Sequence, residues 1–140
     1  MTTQRFITVG SGIAIAGGVA FLVKLAVLAA TNGAESIAVA TFYLLGVVLC
    51  AVGSVGVALR LLQRFPRALR IIGAVVSPLA FFATFLLLDG VLVPPTREHL
   101  PNWAEVEAGV FLTALIWLAA GAWALRSERG LAVRTTQAAR

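Results

Sequence analysis

The amino-acid sequence predicts an all-α fold: an integral membrane four-helix bundle of up-down topology with both termini cytoplasmic. Three observations carry this prediction, namely the composition, four long apolar runs, and the side on which the arginines fall. Of 140 residues, 60% are hydrophobic and 12% charged, with a mean hydropathy of +0.97, whereas soluble chains average about 45–50% apolar and about 25% charged. A core of this size cannot hide so much apolar surface from water, so hydrocarbon is the expected solvent. The expected organisation is one transmembrane domain over 1–126, with helices near 6–30, 36–62, 68–93 and 103–126, and a polar cytoplasmic tail over 127–140.

The first run, Phe6 to Ala30, is interrupted by a single charge, Lys24. At 1.5 Å per residue it reaches roughly 37 Å, enough to cross the ~30 Å hydrocarbon layer with tilt. Arg5 ahead of it and Ala29, Ala30 and Ala34 behind also outline a signal peptide, but the run is long for the apolar region of one. Thr31-Asn32-Gly33 then reads as a helix stop, because Asn and Gly tolerate the left-handed conformation that closes helices.

The second run covers Ile37 to about Leu62, with Thr41, Tyr43, Cys50 and Ser54 as its polar interruptions. Arg60, Arg64, Arg67 and Arg70 follow around Phe65-Pro66, where proline suits the first turn of the next helix. The third run, Ile71 to Val93, is expected to stop at Pro94-Pro95 and to kink at Pro78, provided a neighbour satisfies the freed carbonyl. Arg97, Glu98 and His99 occupy the next connection. Asn102 then reads as an N-cap, with Glu105 completing a capping box, Glu105 and Glu107 at the positive end of the helix dipole, and Trp103 at the interface.

Orientation follows from the basic residues. Arg5, the four arginines of the second turn, and Arg126, Arg129, Arg134 and Arg140 share one side, against Arg97 alone on the other. The positive-inside rule places the arginine side in the cytoplasm. Because the basic residues gather at span ends, not along a soluble stripe, the net charge of +5 speaks for membrane lipids and against nucleic acid. The excess of Arg over Lys, with abundant Ala, Val and Gly, matches the coding bias of GC-rich bacteria, so a bacterial plasma membrane is the expected location.

Lys24 and Asp89 are the informative polar residues, since intramembrane charges face protein, water or each other. Both belong to the outer half, roughly 9 and 6 Å below their helix ends. Lys24 shares a face with Gly17 and Ala20 that suits packing against protein, and an intramembrane Lys24–Asp89 ion pair is expected; the alternative is that Lys24 snorkels to the headgroups. Two small-residue ladders, Gly10, Ala14 and Gly18, and Gly46, Cys50, Ser54 and Ala58, serve either to pack this bundle or to dock another membrane protein. Arg60, Arg64, Arg67 and Arg70 orient the chain, and a cluster of that size also contacts anionic lipid or an acidic partner.

Catalytic patterns are missing. His99 has no second ligand at metal spacing, and no phosphate loop, nucleophile elbow or HExxH occurs. Cys50, the only cysteine, can form no intramolecular disulfide and reads as a packing residue. Trp103, Trp117 and Trp123 read as membrane anchors. The expectation is therefore no enzyme and no cofactor or metal, but an accessory or regulatory subunit docking to a larger membrane complex.

In size and character the chain resembles the small four-span proteins that accompany actinobacterial transport machines such as the Mce-type lipid importers. The resemblance covers the helical region and implies an accessory role, with no site residues carried over. A second resemblance, in length and span number, is to the small multidrug exporters, which implies an oligomeric proton- or cation-coupled transporter using Asp89. The first helix departs from that pattern by carrying Lys24 where those exporters depend on a buried carboxylate.

Overall fold

Among the described residues, four helices are long and apolar enough to cross a membrane: Gln4–Ala30, Ile37–Leu61, Arg67–Val91 and Ala108–Arg126. The computed structural model describes residues 3–96 and 102–138, and the side chains of 4–91, 103, 104 and 106–126. In full the elements are α1 (Thr3–Ala30), α2 (Ile37–Leu61), α3 (Arg67–Thr96), a short α4 (Asn102–Val106) and α5 (Ala108–Ala138). No strand occurs among the described residues. The chain is a membrane-embedded all-α bundle.

The connections behave as their residues dictate. After α1, Gly33 N–H donates to Leu28 O at 2.8 Å and Asn32 N–H to Ala29 O at 3.4 Å, the paired bonds of a Schellman close. Asn32 and Gly33 supply the positive φ angles that this close needs, 52° and 84°. Gly33 also lies against Trp103, where a Cβ would meet the Trp103 Cβ at 2.7 Å. Ser36 caps α2, its Oγ accepting from Val39 N–H at 3.3 Å.

α1 is the centre of the bundle. Along one face Gly10 meets Gly56, Ala14 meets Gly53, Gly17 meets Cys50, and Phe21 meets Gly46, an antiparallel register with α2. A Cβ on Gly10 would lie 2.6 Å from the Gly56 Cα, and one on Gly56 would lie 2.6 Å from the Gly10 Cα. On the other face Gly18 meets Ala114 and Leu118, and Gly121 meets Ser11 and Ile15, setting α5 antiparallel to α1. In lipid, where hydrophobicity does not draw helices together, such backbone approach is what holds them.

The ladders are thus used inside the bundle, and their membership differs from a strict spacing of four. Each step of four residues turns about 40° around a helix with 3.6 residues per turn, so Gly18 has rotated away from α2 and toward α5. Gly17 and Phe21 take its place on the α2 seam. On α2, Gly46, Cys50 and Ser54 are buried as the ladder requires, Gly53 and Gly56 join them, and Ala58 is only half-buried.

α3 is the peripheral helix. Only 6% of its apolar span is buried, against 33–39% for the others. Phe81 and Phe85 anchor it, stacking toward Phe21 and meeting Trp117. The helix is continuous across Pro78. That proline leaves the Ala74 carbonyl without its usual donor, and the Ser77 hydroxyl fills the gap at 3.1 Å.

Four expectations need correction. α3 runs through Pro94-Pro95 to Thr96, because proline's fixed φ is compatible with a helix. The expected fourth helix is divided, with Glu107 in a turn between α4 and α5. α5 continues past Arg126 to Ala138, since the polar segment holds one glycine and no proline to stop it. Trp117 is half-buried against Phe81 and is no lipid anchor, whereas Trp123 is 48% exposed. Asn102 opens α4, but the capping box depends on side chains of Asn102 and Glu105 that lie outside the described residues, as do Arg97, Glu98 and His99.

Two glycine substitutions separate seam from surface. Gly56→Ala drives a Cβ into the Gly10 backbone and should lower stability by on the order of 1–3 kcal/mol. Gly12, with open space around its Cβ position, should gain about 0.5–1 kcal/mol on Gly12→Ala. Thermal unfolding in mild detergent reads both.

Candidate functional site

At the end of the bundle opposite the arginine turn, a cavity of about 340 Å³ opens between the helices. Lys24 of α1, Tyr43 of α2, Asp89 of α3 and Glu107 at the head of α5 line it, with Glu35 and Ser36 from the α1–α2 turn. Val39, Phe85 and Val110 form its apolar floor.

The α1–α2 register explains why Lys24 is there. It continues the face carried by Gly10, Ala14, Gly17 and Phe21, and the next residue opposite on α2 is Tyr43. The ammonium sits over that ring, 4.8 Å from its centroid. Cation–π attraction of this kind is worth about 0.5–2 kcal/mol, more when desolvated. From this position the flexible stem carries Nζ to Glu107 Oε2 at 2.5 Å.

Lys24 therefore pairs with Glu107 and not, as expected, with Asp89. The two side chains are 7% and 15% exposed, so the pair ties the first helix to the last away from bulk water. Asp89 lines the same cavity but belongs to a different contact: Gly109 lets α5 approach so closely that a Cβ there would meet the Asp89 Cα at 2.8 Å and Oδ1 at 2.9 Å. Counting residues from the helix ends placed Lys24 and Asp89 at similar depth, and Glu107 was read only as favourable to a helix dipole. Only the helix azimuth, set by the glycine seams, chooses among them.

Three carboxyl side chains face this cavity with one ammonium, giving it a formal excess of acid. The carboxyls do not converge: no group of three or more His, Cys, Asp or Glu among the described residues is placed to hold a metal. Glu35, Ser36 and Tyr43 join the site although sequence reasoning passed over them. A signal was present for Tyr43, which falls opposite Lys24 once the seam register is drawn.

The other predicted residues lie elsewhere. Gly10, Ala14, Gly18, Gly46, Cys50 and Ser54 are buried in the seams. Arg60, Arg64, Arg67 and Arg70 gather at the opposite end, where Arg60 donates to Gln63 and Arg70 holds a buried Nε with no acceptor among the described residues. Between the arginine end and the bundle core, α2, α3 and α5 frame a second, apolar cleft of about 440 Å³.

The ion-pair assignment has a direct thermodynamic test. Lys24→Met and Glu107→Gln should each destabilise by about 3–5 kcal/mol, because each strands a buried partner. A double-mutant cycle between them should show about 1–3 kcal/mol of coupling, and a Lys24–Asp89 cycle clearly less. Equal coupling in the two cycles contradicts the assignment.

Comparison with known proteins finds no matching family model, no matching curated relative and no matching solved structure.

Proposed function

We propose that this chain is a noncatalytic multi-pass membrane protein serving as an accessory or regulatory subunit of a larger membrane transport complex, with α3 as its docking helix. The observation that supports this most is an uncovered apolar stripe on α3. Ile71, Val75, Leu79, Phe82 and Leu86 recur at intervals of three and four and are between 42% and 70% exposed. Helix–helix seams have that spacing. The small-residue faces of α1 and α2 are already taken by their own bundle, so a partner helix is met on α3.

On this reading the two termini and the arginine turn face the cytoplasm of a bacterial plasma membrane, following the basic-residue asymmetry. The likeness in size and span number to subunits of Mce-type importers points the same way. A photo-crosslinking residue at Val75 should give a discrete adduct with another membrane protein in native membranes, while one at Val48, exposed on α2, should give lipid adducts only. Lipid adducts alone at both positions contradict the docking role.

One observation favours a second reading, an oligomeric proton- or cation-coupled transporter. Asp89 lines the open cavity without being claimed by Lys24. In vesicles containing the purified protein, Asp89→Asn should then abolish ion flux. As an accessory subunit, the same variant changes assembly or stability only.

A further inference from the structure

We infer that the cleft between α2, α3 and α5 is a binding site for an anionic glycerophospholipid, one acyl chain lying in the cleft and the phosphate held by the arginine turn. The inference rests on membrane embedding alone and not on the docking role of α3. The cleft and the exposed stripe occupy opposite faces of that helix, so both can be filled at once.

The cleft runs from Leu61, Leu62 and Gly73 to Leu88. Fifteen residues of α3 correspond to about 22 Å, longer than one leaflet of the ~30 Å hydrocarbon layer, and the volume of about 440 Å³ falls in the range of small-ligand sites. At the arginine end Leu62 packs into the space that the missing side chain of Gly73 leaves.

The wall admits hydrocarbon and little else. Four hydroxyls line it, and each is turned back onto its own helix: Ser54 donates to Ala51 O, Ser77 to Ala74 O, Thr84 to Ala80 O and Thr113 to Gly109 O, at 2.7–3.1 Å. With these donors engaged, the cleft offers a visitor methyl, methylene and aromatic surface. A polar ligand would be desolvated there without compensation.

Charge complementarity names the headgroup. Arg60 and Arg64 lie within two residues of the cleft-lining Leu61-Leu62 pair, and Arg70 precedes the cleft-lining Gly73 by one turn, so the arginine turn follows directly on this end of the cleft. The segment from Arg60 to Arg70 contains no Asp or Glu to neutralise them. The Nε of Arg70 is buried and lacks an acceptor among the described residues, and an unmade bond from such a donor is costly. A phosphate oxygen meets that need, and guanidinium pairs bind phosphate in forked geometry. A neutral lipid fits the cleft equally well but leaves the arginines in repulsion.

Trp117 lines the cleft and reports directly on its occupant. With Trp103 and Trp123 replaced by Phe, the full chain is placed in bilayers containing either phosphatidylglycerol or phosphatidylcholine with brominated acyl chains. Brominated phosphatidylglycerol should quench Trp117 at a lower mole fraction than brominated phosphatidylcholine. Each of Arg64→Gln and Arg70→Gln should reduce that preference about fivefold. Ala80→Leu, which narrows the cleft and keeps the arginines, should reduce quenching by both lipids, and circular dichroism verifies the helical fold of every variant. Soluble glycerol phosphate should not compete, since it lacks the chain. Equal quenching by the two lipids, a preference that survives loss of both arginines, or no quenching by either overturns the inference.

Discussion

Helices in hydrocarbon gain nothing by hiding apolar side chains from one another, and the structure is organised around that constraint. Association must come from close packing, and close packing of helix backbones needs positions without side chains. α1 supplies them on two faces, Gly10 and Gly17 toward α2 and Gly18 toward α5, while Gly46, Gly53, Gly56 and Gly121 answer from the neighbours. α3, with Gly73 and Gly90 as its glycines, stays at the edge with most of its surface uncovered. The difference between core and peripheral helices is thus one of glycine placement more than of hydrophobicity.

The seams also decide where charge can go. A lysine ammonium in a membrane span is costly unless it is paired or hydrated. Lys24 meets the requirement by lying on the α2 seam opposite an aromatic ring and reaching the carboxylate at the head of α5. Breaking α4 from α5 at Glu107 is part of the same solution, because the turn holds that carboxylate at the cavity wall. The outcome is a bundle with two chemically distinct ends: an acid-rich cavity braced by one ion pair, and a strongly basic arginine turn.

Much of this was legible in the sequence. The apolar runs set the number of spans, Thr31-Asn32-Gly33 marked the close of α1, and Phe65-Pro66 marked the entry to α3. What sequence periodicity could not supply was rotation. Spacing of four assigned Gly18 to the same face as Gly10, but 40° of drift per step carried it to the other neighbour. The same missing angle led from Lys24 to Asp89 when Glu107, at comparable depth, had been read only as favourable to a helix dipole. The apolar cleft was invisible for a related reason, since its wall is assembled from three helices and its hydroxyls look polar until their bonds to their own backbones are seen. α5 outran its expected end because polar composition describes where a helix leaves the membrane, not where it stops being a helix.

The account depends most on the α1 register, from which the ion pair and the acid-rich cavity follow. Solid-state NMR on the isotope-labelled chain in lipid bilayers measures it directly, through correlations between Gly10 and Gly56 and between the Lys24 ammonium and the Glu107 carboxyl. The structure requires both correlations, with no lipid acyl protons reaching Gly10. Strong lipid contacts at Gly10 together with an absent Gly10–Gly56 correlation would show that α1 is not the centre of this bundle.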